Sequence, residues 1–276
     1  KESLECLEDF INTGEIEMQT IKLVRDKNVA RLTLTNPTYL NAEDDTLNTE
    51  MELAVDLILL DPSIDIAVIR GGFMDHKKYQ NKRVFCSGIN LTKLYSGELS
   101  YMFYVAREVG LVSKIYRGLF SEEYDWNQAI DRGIEKPFIS AVDTHAIGGG
   151  CQLVLVSDIV IAESNAYFTI PARTEGFIPG LANLRSKFYM GQRLAKKMIN
   201  LNYKLMADSP EGKLLVDEVV EANEMDEAID RIIKEVTSSG VQGLISNRKA
   251  FRVGAEPLEL FRNYMAMFSQ EQVGCM

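Results

Sequence analysis

The sequence predicts an α/β fold with an α-helical C-terminal part. Short apolar runs of strand character alternate with stretches of helical periodicity, and from about Asn183 onward the pattern is mostly helical. Two glycine turns, one at Gly88 and one at residues 148–150, each follow a predicted strand.

The elements follow in order. After a polar break at 12–14, residues 21–24 (IKLV) and 29–34 (VARLTL) flank 26–28 (DKN), a hairpin pattern. Asn41 or Asp44 caps a helix in which Leu47, Met51, Ala54, Val55, Ile58 and Leu59 recur at helical spacing, and Asp61 with Pro62 stops it. Residues 66–69 (IAVI) read as a buried strand. A polar excursion over 75–83 leads into 84–90, and a helical stretch runs from about 100 to 119. Residues 138–142 (FISAV) form the next strand, and 145–150 open another helix. Residues 159–162 and 167–169 are short strands, and 216–220 (VDEVV) interrupt the later helices. In the tail, Leu258, Phe261, Tyr264, Met265 and Phe268 share one helical face, which must cover the chain's own core or a neighbour's.

Of 276 residues, 40 are Asp or Glu and 30 are Lys or Arg, a net charge of −10; 46% are hydrophobic and 25% charged. That balance fits a soluble globular chain with one large core. With no basic run longer than two residues, nucleic acid is not an expected partner. No run nears the roughly 20 apolar residues of a membrane span, so a membrane is not expected either. Residues 1–19 are a charged lead-in without the apolar stretch of a secretory signal. Cys6, Cys86, Cys151 and Cys275 are scattered without a CxxC, and His76 and His145 are the two histidines, so no metal site is expected. The reading is a reduced, metal-free, cytoplasmic protein.

The two glycine turns carry the sharpest signal. Glycine lets backbone N–H groups approach a ligand, and at the second turn the amides face the positive end of a helix dipole. Two such amides converging on one oxygen form an oxyanion hole, worth roughly 3–4 kcal/mol to a transition state. The alternative is that Gly148, Gly149 and Gly150 only allow tight helix–sheet packing.

Residues 84–91 (VFCSGINL), 136–142 (KPFISAV) and 146–153 (AIGGGCQL), followed by 158–162 (DIVIA), Phe168, Pro171, 178–180 (IPG) and 216–220, resemble the crotonase (enoyl-CoA hydratase/isomerase) superfamily over about residues 21–220. The resemblance implies a spiral of ββα units over residues 20–205 and a helical oligomerisation part over 206–276. It also implies an acyl-CoA substrate and assembly as trimers or hexamers. Its oxyanion-hole amides fall on Ile89 and Gly149. The two glutamates that hydratases of the family use fall on Gln152 and Ala172. Neither a carboxamide nor a methyl group exchanges protons near neutral pH, so simple hydration is not expected. Glu175, three residues beyond Ala172, could substitute in principle, but a helical turn or loop displaces it from that slot.

Residues 40–44 (LNAED), 70–76 (RGGFMDH), 83–91, 171–176 (PARTEG) and 178–185 (IPGLANLR) are similar to one branch of the superfamily, the cofactor-independent dioxygenases of 3,5-dihydroxyphenylacetyl-CoA. Glu43, Arg107 and Gln152 match residues that this branch uses around the dihydroxyphenyl ring, and His76 matches a histidine near its substrate. The resemblance adds Tyr79, Ser87, Gly88, Asn90, Gly148 and Gly150 as substrate-binding positions. It implies no bound cofactor, with CoA as part of the substrate and O2 as co-substrate. The product would be an aryl α-keto acid of an antibiotic pathway. It also implies a helical region ahead of the core, of which 1–19 would be a remnant. Taken alone, Glu43 is equally a helix-dipole partner, Arg107 a solvated helix residue, His76 a surface histidine and Gln152 an ordinary helix residue. CoA carries phosphates while the chain is acidic, so Lys77, Lys78, Lys82 and Arg83 are the candidate basic patch, or a solubilising loop. The competing functions are thioester hydrolysis, isomerisation or hydration of another acyl-CoA, and an inactive CoA-binding homologue.

Overall fold

A computed structural model of the chain describes residues 2–120 and 133–275. Lys1 and Met276, the outer limits of the expected lead-in and C-terminal part, lie outside them. The elements open with α1 (Glu2–Thr13), β1 (Glu15–Glu17), β2 (Ile21–Asp26), β3 (Val29–Leu34), α2 (Asp45–Leu60), β4 (Ile66–Gly71) and α3 (Leu91–Tyr95). Next, α4 (Tyr101–Arg107) and α5 (Ser113–Arg117) are joined by a π turn at Glu108–Val112. Then come β5 (Phe138–Val142), β6 (His145–Ile147), α6 (Gly149–Val154), β7 (Ile159–Glu163), β8 (Tyr167–Thr169) and α7 (Ala172–Glu175). The chain continues through α8 (Ala182–Leu201), β9 (Leu205–Met206), β10 (Glu218–Val220), α9 (Met225–Thr237), α10 (Gln242–Ala255) and α11 (Leu258–Cys275).

Seven strands form the main sheet in the order β1-β2-β3-β4-β5-β7-β10, antiparallel up to β3 and parallel from there on. A smaller sheet runs β6-β8-β9. The predicted hairpin is β2–β3, whose register leaves Lys27 and Asn28 as a two-residue loop with Lys27 left-handed at φ 57°. Asp44 is the helix cap, accepting from the Leu47 N–H at 3.0 Å. Asn41 instead donates from Nδ2 to the Val84 carbonyl at 2.7 Å and pins the start of the next segment.

Period-two alternation divides the strands between two cores. Ala67, Ile69, Phe138 and Val142 join the main core with α2 and α6. Ile66, Val68, Ile139 and Ala141 face α9, against Met225, Ala228, Ile229, Ile232 and Ile233. The sheet runs past both expected boundaries. β1 and the buried Phe10 of α1 belong to the lead-in, and β10 belongs to the C-terminal part.

α11 turns its apolar face back onto its own chain. Phe261, Met265 and Phe268 pack with Ile89, Phe103, Tyr104, Leu181 and Leu184. No helix of the described residues is long and apolar enough to cross a membrane.

Candidate active site

Backbone pairing brings the two glycine turns together. Glu43 N–H donates to the Gly88 carbonyl at 2.6 Å, and the Glu43 carbonyl accepts from Asn90 N–H at 2.7 Å. On the other side, Ile147 N–H donates to the Cys86 carbonyl at 3.0 Å. In this pairing the N–H of Ile89 points away from Glu43, and among the described residues it donates to nothing. Gly148 N–H is taken by the Thr169 carbonyl at 2.8 Å. Gly149 N–H, at the first position of α6, has no intrahelical partner, and among the described residues it donates to nothing. Both positions need glycine. Gly88 is left-handed (φ 80°), and a Cβ there would stand 2.9 Å from the Ile147 carbonyl oxygen. A Cβ on Gly149 would fall 1.5 Å from Oε2 of Glu43.

Beside the turns lies a buried network centred on Arg107. Its Nε and Nη2 donate to Glu43 Oε1 at 3.0 and 2.7 Å, and Nη2 also donates to the Gly149 carbonyl at 2.9 Å. Nη1 donates to Glu108 Oε1 at 2.9 Å and to Gln152 Oε1 at 3.2 Å. Burial disfavours a charged guanidinium, but Glu43 and Glu108 outweigh it and raise the Arg107 pKa further. Burial pushes the Glu108 carboxyl up, against Arg107 and Arg185. Glu43 Oε2 and Gln152 Nε2 carry no hydrogen bond among the described residues.

These groups line one cavity of about 40 Å³, room for no more than about three waters. Of the expected residues, Glu43, Ser87, Gly88, Ile89, Arg107, Gly148, Gly149 and Gln152 line it. Asn90 does not; it caps α3, accepting from Lys93 N–H at 3.2 Å. Gly150 packs beneath the cavity against Cys86. Burial raises the thiols of Cys86 and Cys151, the latter to about 12, so both stay protonated at neutral pH.

His76 and Tyr79 lie outside the cavity but connect to its rim. The His76 and Tyr79 rings are 5.8 Å apart, Tyr79 meets His145 edge-on at 5.4 Å, and His145 Nε2 lies 2.9 Å from Ser87 Oγ. Burial, with Lys78 and Lys204 nearby, pushes His145 down to about 4 and keeps it neutral. Lys77, Lys78 and Lys82 are exposed. Arg83 is tied down, stacked 4.1 Å over the Phe73 ring and donating to the Gly71 carbonyl at 3.0 Å. Among the described residues no group of three or more His, Cys, Asp or Glu is arranged to hold a metal ion.

The cavity also holds residues that the sequence reading did not assign to it. Glu108 enters beside Arg107 because the π turn begins there; π turns recur at functional sites. Tyr104, Phe177 and Phe268 supply apolar wall, and Glu175 lines the cavity together with Ala172. Glu175 belongs to the segment 171–176, and α7 carries it one turn beyond Ala172 to the same cavity, a placement set by the fold rather than by local spacing.

Comparison with known proteins agrees with this architecture. The family model for enoyl-CoA hydratase/isomerase matches residues 24–266. The chain is 44% identical over 271 residues to (3,5-dihydroxyphenyl)acetyl-CoA 1,2-dioxygenase of Amycolatopsis orientalis, covering 98% of this chain but 61% of that protein. It is 26% identical to the short-chain-enoyl-CoA hydratase of Clostridium acetobutylicum, over 87% of this chain and 84% of that protein. Among solved structures, a probable enoyl-CoA hydratase from Mycobacterium smegmatis superposes with a TM-score of 0.73 at 21% identity, covering 93% of this chain and 95% of that one. An enoyl-CoA hydratase from Mycobacterium avium subsp. paratuberculosis gives 0.71 at 20% identity, covering 94% and 89%. By its matched family model and by its fold, the chain belongs to the enoyl-CoA hydratase/isomerase family, the crotonase superfamily.

Proposed function

We propose that the chain oxygenates an arylacetyl-CoA, 3,5-dihydroxyphenylacetyl-CoA, without metal or flavin. The observation that carries the reading is the pair of unengaged amides, Ile89 N–H and Gly149 N–H, on two touching turns beside the Glu43–Arg107–Gln152 network. Preorganised donors of this kind stabilise the oxygen of a thioester enolate. The α-carbanion of an arylacetyl thioester is delocalised over ring and carbonyl, and a carbanion that electron-rich reduces O2 directly. Oxygen bonds to Cα, and the peroxide closes on the thioester carbonyl and expels CoA thiolate as the C–S bond breaks. Loss of the second α-proton, which goes to the thiolate, forms the keto C=O as the O–O bond breaks. The arylacetyl-CoA and O2 thus become an aryl α-keto acid and CoA, with both oxygen atoms retained in the acid. Glu43 Oε2 offers an acceptor and Gln152 Nε2 a donor for the phenol hydroxyls, so a substrate lacking them leaves buried polar groups unpaired. The 44% identity to the Amycolatopsis dioxygenase supports the same reading.

An oxygen electrode tests it. With 3,5-dihydroxyphenylacetyl-CoA, O2 uptake should match CoA release one for one. Release of CoA without O2 uptake would sink the proposal and favour thioester hydrolysis. That second reading has one observation in its favour, the 2.9 Å contact between Ser87 Oγ and His145 Nε2 beside the amides. An imidazole lowered to about 4 is a weak base for it.

The proposal extends to CoA and to assembly. The exposed Lys77, Lys78 and Lys82 are suited to the phosphates of CoA. Self-association as a trimer or hexamer would use a groove of about 520 Å³ whose lining includes Phe188, Leu214 and Phe251. These three residues are 52%, 52% and 79% exposed in the single chain, an apolar patch suited to a second copy.

A further inference from the structure

Three carboxylates line the cavity: Glu43, Glu108 and Glu175. Two of them are committed. Glu43 receives two N–H groups of Arg107, and Glu108 lies 2.9 Å from Arg107 Nη1 and 3.9 Å from Arg185 Nη1. Protonating either would leave a buried guanidinium short of its counter-charge.

Glu175 is differently situated. Among the described residues it makes no hydrogen bond and no ion pair, and it is half-buried at the cavity wall. It ends α7, one turn beyond Ala172, and the left-handed Gly176 (φ 81°) turns the chain away immediately after it. Tyr104 and Phe177 line the same cavity. The Tyr104 and Phe177 rings are 5.7 Å apart, and burial, with a smaller part from the Glu175 charge, pushes the Tyr104 hydroxyl up to about 12. Burial raises the Glu175 carboxyl as well. A carboxylate without a counter-ion, partly desolvated and open to the cavity, has the properties of a proton acceptor rather than of a structural charge.

We propose that Glu175 is the general base that removes the α-proton of the acyl thioester. This rests on the reading of the site as one that forms a thioester enolate. The Cα–H bond breaks, its proton goes to a carboxylate oxygen of Glu175, and its electron pair forms the Cα=C bond. The carbonyl π pair moves to the oxygen facing the Ile89 and Gly149 amides. The position is distinct from Gln152 and Ala172, which match the slots of the hydratase glutamates and offer no basic group.

The test follows proton exchange apart from oxygen chemistry. The purified chain is mixed with 3,5-dihydroxyphenylacetyl-CoA in D2O under argon, loss of the α-proton signal is followed by NMR, and the same samples are then run aerobically on the electrode. Glu175→Gln should slow exchange by about 100-fold or more, the usual contribution of a general base. KM should stay within about threefold and Tm should be unchanged; Glu175→Asp should recover part of the rate. Exchange at the wild-type rate in folded Glu175→Gln overturns the assignment, as does a wild-type protein that exchanges nothing. If Glu175→Gln unfolds, Glu175→Asp at full Tm must still exchange at least about tenfold more slowly, and an unchanged rate overturns the proposal. Glu175-dependent exchange in a protein that takes up no O2 would leave the base standing and remove the dioxygenase reading. Equal O2 uptake by wild type and Glu175→Gln would do the reverse.

Discussion

At the scale of single residues, the site is a problem of saturating one guanidinium. Arg107 places all its N–H groups on Glu43, Glu108, Gln152 and the Gly149 carbonyl, and so aligns the open atoms of its partners. If Gln152 Nε2 binds a phenol, Gln152→Ala should cost a dihydroxyphenyl substrate about 1–3 kcal/mol, or about 5- to 150-fold in kcat/KM. Plain phenylacetyl-CoA should be nearly unaffected, and an unchanged ratio of the two rates removes the role. The types of these residues were legible in the sequence; their grouping was not. Arg107 reads as a solvated helix position until the fold closes over it, because nothing in local spacing distinguishes a buried arginine with two carboxylate partners from an exposed one.

Between elements, Glu256 does for the helices what Arg107 does for the cavity. It follows α10 and accepts from Arg117 of α5 at 2.8 Å and from Arg185 of α8 at 2.8 and 3.0 Å. All three side chains are buried. Glu256→Gln leaves the buried Arg117 without a counter-charge and Arg185 with only Glu108, 3.9 Å away, and a loss of about 3–5 kcal/mol is expected in urea unfolding. A change under about 1 kcal/mol would show that the helices hold without it. Burial alone would raise the Glu256 carboxyl, but Arg185 and Arg117 outweigh it and hold it below its ordinary 4.5. Its contribution is therefore present above about pH 4.5 and is lost as the pH falls through the lowered native value. The Glu256→Gln protein should show a correspondingly shallower acid limb. The helix expected over residues 100–119 is interrupted by the π turn at Glu108–Val112. The extra residue rotates the following face by about 100°, but the stretch after it is only five residues long, too short for a change of phase to stand out in the apolar pattern.

For the whole molecule, the chain doubles back so that its last helix finishes the site begun near residue 43. Phe268 of α11 lines the cavity, Tyr264 donates to the Gly180 carbonyl at 2.7 Å, and Gln272 Oε1 accepts from Ile178 N–H at 2.8 Å. With the face of α11 covered from within, the exposed aromatics of the groove become the surface available to another copy. If the chain self-associates as proposed, Phe251→Asp should shift sedimentation toward the monomer with the helical circular dichroism unchanged, and an oligomer that sediments identically to wild type would exclude that face. Periodicity and the demands of glycine are local properties, so the alternating strands and helices and the Gly88 and Gly149 turns were legible before the fold was known. Tertiary structure decided that β1 and β10 join one sheet, that Asp44 rather than Asn41 caps α2, and that α11 covers its own chain. It also decided that Glu175 and Glu108 share a cavity with Glu43. Those are contacts between residues far apart in the chain, set by which surfaces meet when the core forms rather than by any neighbour in sequence.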